Sequence, residues 1–123
     1  MEKQVKTTEE TNKEINWDAK VYNQLLNAVL ALETKNEAEL FLRDLMTEGE
    51  IEEFAKRLEA ARLLSNDTQY SAIIERTGLS STTIARISKW LKGSLGGYRL
   101  VLARLSSKNL HHHALSHRAK GLS

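Results

Sequence analysis

The 123 residues suffice for one domain and leave little room for a second. An apolar fraction of 41 % with 28 % charge fits a soluble globular protein and excludes a disordered one. Cys is absent, which excludes disulfides, thiolate metal sites and a cysteine nucleophile, and so is Pro, the commonest helix breaker.

In chain order, residues 1–14 are polar and aperiodic; they lack the apolar core of a secretory signal and are expected to be flexible. Trp17, Val21, Leu25, Ala28, Val29 and Leu32 then recur at helical spacing, predicting an amphipathic first helix. Asn36 with Glu39 reads as a capping box opening a second helix through Leu40, Phe41, Leu42 and Leu45. Thr47 with Glu50 repeats the pattern before a longer third helix through Ile51, Phe54, Ala55, Leu58, Ala61 and Leu64. Ser65-Asn66-Asp67 interrupts it. Three more short helices are predicted near 68–77, 81–92 and 98–106, parted by Gly78 and by the Gly93–Gly97 stretch. No window alternates like a strand, and none approaches the roughly 18 apolar residues of a membrane span. The expected fold class is all-α: six short helices in a single domain over 15–106. A flexible basic and His-rich tail, 107–123, is expected to follow it. A cytoplasmic location is expected.

Charge is unevenly placed. Residues 1–66 carry a net −5 and residues 67–123 a net +7, with Glu75 the last acid of the chain. Basic charge gathered in one half is the footprint of a polyanion-binding surface.

Segment 68–92 carries the chemistry. A helix-turn-helix needs a helix, a sharp turn that often holds Gly, and a second helix crossing the first. Ile73 and Ile74 supply the inner face of the first helix. Gly78 suits a turn at positive φ, Leu79 plugs the corner, and Ser80 is placed to cap the second helix. Ile84, Ile87 and Leu91 would bury that helix, leaving Ser81, Thr82, Ala85, Arg86 and Lys89 outward. Small hydroxyl residues at the leading end permit entry to a major groove. Ser80, Ser81, Thr82, Thr83, Ala85, Arg86, Lys89 and Lys92 are therefore the candidate DNA-binding residues.

LMTEGEIEEFAKRLEAARLL followed by SAIIERTGLSSTTIARISKWLKGSLGGYRLVLARL resembles the Trp repressor-like superfamily, and most nearly its YerC/YecD-type branch. The resemblance spans roughly residues 17–106. It implies an intertwined homodimer with one helix-turn-helix per subunit, bound to operator DNA. Independent support for a homodimer is the long apolar stripe on each of the first and third helices, more than one small subunit can cover.

By the same resemblance, Arg57, Arg86 and Thr47 align with residues that hold free tryptophan between two arginines. Ile87 and Trp90 stand where the tryptophan-binding members have Gly and Ser. Thr47, Arg57, Arg86, Ile87 and Trp90 thus form a possible effector pocket, expected to be filled by Trp90 between the arginines and not to respond to tryptophan; the competing reading of the arginines is ordinary ion pairing, for example of Arg57 with Glu53. Whether any small-molecule effector binds is left open.

His111, His112, His113 and His117 have helical metal-ligand spacing, yet no acid follows Glu75 to orient the rings, and adventitious binding is the better reading. Gly96-Gly97 reads as a hinge, and Trp17 and Tyr98 as packing anchors. No nucleophile–base–orienter set appears, so no enzyme and no cofactor is expected. The expected function is a sequence-specific regulator bound to double-stranded DNA. The competing readings are a helical protein–protein module and an effector-sensing repressor.

Overall fold

The computed structural model describes residues 14–108. They form six helices and no strand: α1 Lys20–Ala31, α2 Lys35–Leu45, α3 Glu48–Ser65, α4 Tyr70–Thr77, α5 Ser81–Lys92, and α6 at 97–108. The all-α class expected from periodicity holds. The N-terminal 1–13 and the His-rich segment lie outside the described residues. Among those described, no helix is long and apolar enough to cross a membrane. The chain divides into two compact units after Leu45.

In the first unit, Trp17, just ahead of α1, meets Tyr22 of α1 edge to face with ring centroids 6.3 Å apart. α1 keeps its amphipathic stripe, yet it has no buried residue: Val21 is 74 % exposed and Leu30 81 %. α2 likewise buries none. Its start corrects the expected cap. Thr34 Oγ1 accepts the Glu37 N–H at 3.1 Å, and Glu37 Oε1 accepts the Glu33 N–H at 2.9 Å. This hydroxyl–glutamate pair starts the helix two residues before Asn36 and Glu39, which leaves Asn36 inside the first turn.

The second unit holds the core. The Thr47–Glu50 capping box opens α3 as expected, with N–H···O distances of 2.9 and 3.1 Å in the two directions. α3 ends in a Schellman motif: the Thr68 N–H donates to the Leu63 carbonyl and the Asp67 N–H to that of Leu64, both at 3.0 Å. Asp67 takes the left-handed position at φ 61°, which Asp tolerates better than most residues. Ala60, Ala61 and Leu63 on α3 are buried, and α3 packs against both α4 and α5. The two alanines permit a close approach, and Ile73 of α4 and Ile84 of α5 fill the space with no exposure. Each such isoleucine contributes on the order of 1.5–3 kcal/mol by burial. Leu79 closes the corner, Ile87 and Leu91 extend the inner stripe of α5, and Tyr98 and Leu102 of α6 pack on the cluster from outside.

Candidate nucleic-acid interface and the adjoining cavity

The α4–α5 connection is built from residues whose local chemistry dictates a sharp turn. Gly78 ends α4 at φ +74°, where a side chain would be strained, and its N–H still reaches the Ile74 carbonyl at 2.8 Å. Ser80 then caps α5: its Oγ accepts the Thr83 N–H at 3.1 Å and donates to Thr83 Oγ1 at 3.0 Å. α4 and α5 thus form a helix-turn-helix around Gly78, Leu79 and Ser80.

α5 is sharply two-faced. Ile84, Ile87, Ser88 and Leu91 are buried, while Ser80, Ser81, Thr82, Ala85, Arg86, Lys89 and Lys92 are exposed and Thr83 is half-buried. The leading turn presents only hydroxyls and a methyl, and the cations follow. Electrostatics separates α5 from α3. Among the described residues every ion pair lies on α3: Glu52–Lys56 at 3.0 Å, Glu53–Arg57 at 3.1 Å and Glu59–Arg62 at 2.7 Å. Arg86, Lys89 and Lys92 have no such partner there, so their charge is directed to solvent or to a ligand.

Behind the cationic face lies an open cavity of about 570 Å³, within the range of small-molecule sites. Arg57 and Leu58 of α3, Thr83, Arg86, Ile87 and Trp90 of α5, and Gly97, Tyr98 and Val101 of α6 line it with Leu95 and Gly96 of the connection. Four of the five expected pocket residues therefore meet. Thr47 does not line the cavity, its hydroxyl being engaged in the α3 cap. The expected sandwich of Trp90 between two arginines is not formed. Arg57 is held by Glu53 one turn earlier, which places its guanidinium 5.5 Å from the Phe54 ring. Trp90 stays 45 % exposed as a wall and the cavity remains open. Burial against this apolar wall pushes the Tyr98 phenol upward, partly offset by the Arg57 charge. Sequence reasoning missed Leu58, Leu95 and Val101, and read Gly96, Gly97 and Tyr98 only as hinge and anchor. The one available signal was Tyr98 and Val101 falling three apart on a helix.

A helix-turn-helix with a cationic, hydroxyl-led second helix on an otherwise helical scaffold defines a known class of small regulator-type fold. Residues 20–106 match the family model of the Trp repressor protein, and the chain belongs to that family. It is similar to the uncharacterised protein YerC of Bacillus subtilis (strain 168), 37 % identical over 86 residues, which are 70 % of this chain and 83 % of YerC. Among solved structures it is similar to a TrpR-like protein from Eubacterium eligens ATCC 27750, with a TM-score of 0.69 and 34 % identity over 73 % of this chain and 93 % of that one. A Staphylococcus aureus protein proposed to be a Trp repressor matches with the same TM-score of 0.69 at 27 % identity, over 76 % of this chain and 96 % of that one.

Proposed function

We propose that the protein is a transcriptional regulator that binds double-stranded DNA sequence-specifically, as a homodimer, through α5. The observation that carries the reading is the outward face of α5. Ser81, Thr82, Ala85, Arg86 and Lys89 are all exposed, and the three cations on the helix have no ion-pair partner among the described residues. Thin side chains at the leading tip let the helix approach base edges, and the cations that follow are suited to guanine or phosphate. Membership of the Trp repressor family supports the same reading. The homodimer is supported by the apolar residues of α1 and α2, none of which is buried among the described residues, since such faces are normally buried against a partner. Selection of bound sequences from random duplex tests both parts. An inverted repeat with half-sites about 34 Å apart is expected; recovery of no common sequence, with weak binding at low salt, overturns the reading.

The cavity favours a second site on the same molecule. Arg86, which has no ion-pair partner among the described residues, together with the apolar walls suits a small anion with an apolar body. Free tryptophan is not the expected occupant: the space is open, and the obstacle is one of shape and not of filling, Ile87 and the chain's own Trp90 forming the wall that the ligand's indole would meet. Calorimetric titration with L-tryptophan is expected to show no sub-millimolar binding, and such binding would refute that exclusion.

A further inference from the structure

α5 ends at Lys92, and the carbonyls of its last turn lack helical partners of their own. The Gly93 N–H reaches the Trp90 carbonyl at 3.3 Å, a weak terminal bond. The Leu91 carbonyl instead accepts from Nη1 of Arg99, eight residues on, in the first turn of α6. The connection folds over this guanidinium. Gly96 takes φ +73°, and a Cβ there would come within 3.0 Å of Arg99 Nη2 and 3.6 Å of its Cζ. The Gly96 carbonyl in turn accepts the Leu100 N–H at 2.9 Å, opening α6. Arg99 forms no ion pair among the described residues. Its positive charge sits at the negative end of the α5 dipole, where a cation is stabilised.

We propose that Arg99 is a positioning residue of the recognition helix: through the Leu91 carbonyl it locks the start of α6 to the end of α5, and Gly96 leaves room for the guanidinium. The consequence for DNA rests on the reading of α5 as the reading head. Lys89 and Lys92 lie in the same terminal turn that Arg99 holds, so the lock sets their pitch against the duplex. It also makes Tyr98, one residue before Arg99, move with α5, so the cavity wall and the reading head form one body.

The test uses the full chain with Arg99→Ala, Arg99→Lys and Gly96→Ala, and circular dichroism to establish that each is folded. Amide hydrogen exchange over residues 93–100 reads the lock without DNA. Arg99→Ala should speed it by about tenfold or more and Arg99→Lys by less; Gly96→Ala, which also strains a left-handed backbone at φ +73°, should speed it as well. DNA binding is then measured on a selected site and on random duplex across a salt series. Loss of the lock should weaken the selected site by about tenfold or more and random duplex by clearly less. A slope flattened by about 0.9 per subunit, with exchange over 93–100 unchanged in Arg99→Ala, would show Arg99 to be a phosphate contact instead, and the proposal would fall. Unchanged exchange in Arg99→Ala overturns it by itself, because Gly96→Ala strains the backbone at φ +73° whether or not the lock exists. If the wild-type chain binds no duplex, the DNA reading fails, while the exchange measurement still decides the lock.

Discussion

Thr77 and Leu79 are joined across the turn by one hydroxyl. Thr77 Oγ1 donates to the Ile73 carbonyl at 2.7 Å and accepts the Leu79 N–H at 3.2 Å, all of it buried. A single side chain thus satisfies two backbone groups where the chain leaves α4, and it holds Leu79 in the corner of the core. Thr77→Val keeps the shape but orphans the Leu79 N–H in a buried place. The expected cost is about 1–3 kcal/mol in chemical denaturation. Thr77→Ser, which restores the hydroxyl, should recover most of it. Equal stability of the Val variant and the wild type would show the hydroxyl to be idle.

One residue further, Gly78 separates backbone conformation from packing. A Cβ added there meets nothing within 4 Å, so any penalty is conformational. Gly78→Ala should cost about 1–2 kcal/mol, the price of a left-handed side-chain residue, and Gly78→Asn clearly less. Thermal denaturation of the two variants reads the difference; an Ala variant as stable as the Asn variant contradicts the assignment.

These two sites also mark what sequence reasoning can reach. Ser80, Gly78 and the Thr47–Glu50 box were legible because each acts within one turn of its own position, where residue type alone limits the choices. The face of α5 was legible because burial follows the helical period. The α2 start was misread because Thr34/Glu37 and Asn36/Glu39 fit the same local rule, and nothing local chooses between them. The cavity was half legible. Arg57 and Tyr98 line one cavity from helices far apart in the chain, and Arg57 pairs with Glu53 and Phe54 on its own helix and not with Trp90. The Arg99–Leu91 bond left no trace at all, since a guanidinium bound to a carbonyl has no sequence partner to look for.

Acid should loosen α3 first. The Glu50 carboxyl is held below its ordinary range by the Thr47 backbone N–H and then by the Thr47 hydroxyl, and that of Glu59 chiefly by its hydrogen bond from Arg62. A carboxylate whose folded pKa is depressed stabilises the fold above its unfolded pKa and loses that contribution as pH falls through the folded value. Stability should therefore decline once pH drops below the ordinary carboxylate value of 4.5, and not between neutrality and that point. Urea midpoints at neutral and acid pH check this. Glu50→Gln, which keeps an acceptor for the cap but cannot titrate, should show a smaller acid loss than the wild type.

The uncovered face of α1 gives a direct test of self-association. Leu30, 81 % exposed, stands on a helix with no buried residue. If a second copy covers that helix, Leu30→Glu buries a charge at the interface and should shift the protein toward monomer in sedimentation equilibrium, by several kcal/mol of association. A variant that sediments as the wild type does would place Leu30 outside any interface and remove this support for the homodimer.

Arg86 and Lys89 should fail in different ways, and the difference tells base contact from phosphate contact. Lys89 is exposed on the last turns of α5. As a phosphate contact its loss should weaken all sequences alike and flatten the log affinity against log salt line by about 0.9 per contact, hence about 1.8 for two subunits. Arg86 lies nearer the hydroxyl-led tip and also lines the cavity. If its fork grips guanine, Arg86→Ala should cost about 1–3 kcal/mol at one base position of each half-site and leave other positions unmoved. Arg86→Lys should not rescue it, because a point charge cannot reproduce two parallel N–H bonds. Binding curves on a selected site and its single-base variants, at three salt concentrations, separate these outcomes. A uniform loss from Arg86→Ala with a flattened slope would make Arg86 a second phosphate contact, and the reading of bases would then fall to Ser81, Thr82 and Ala85.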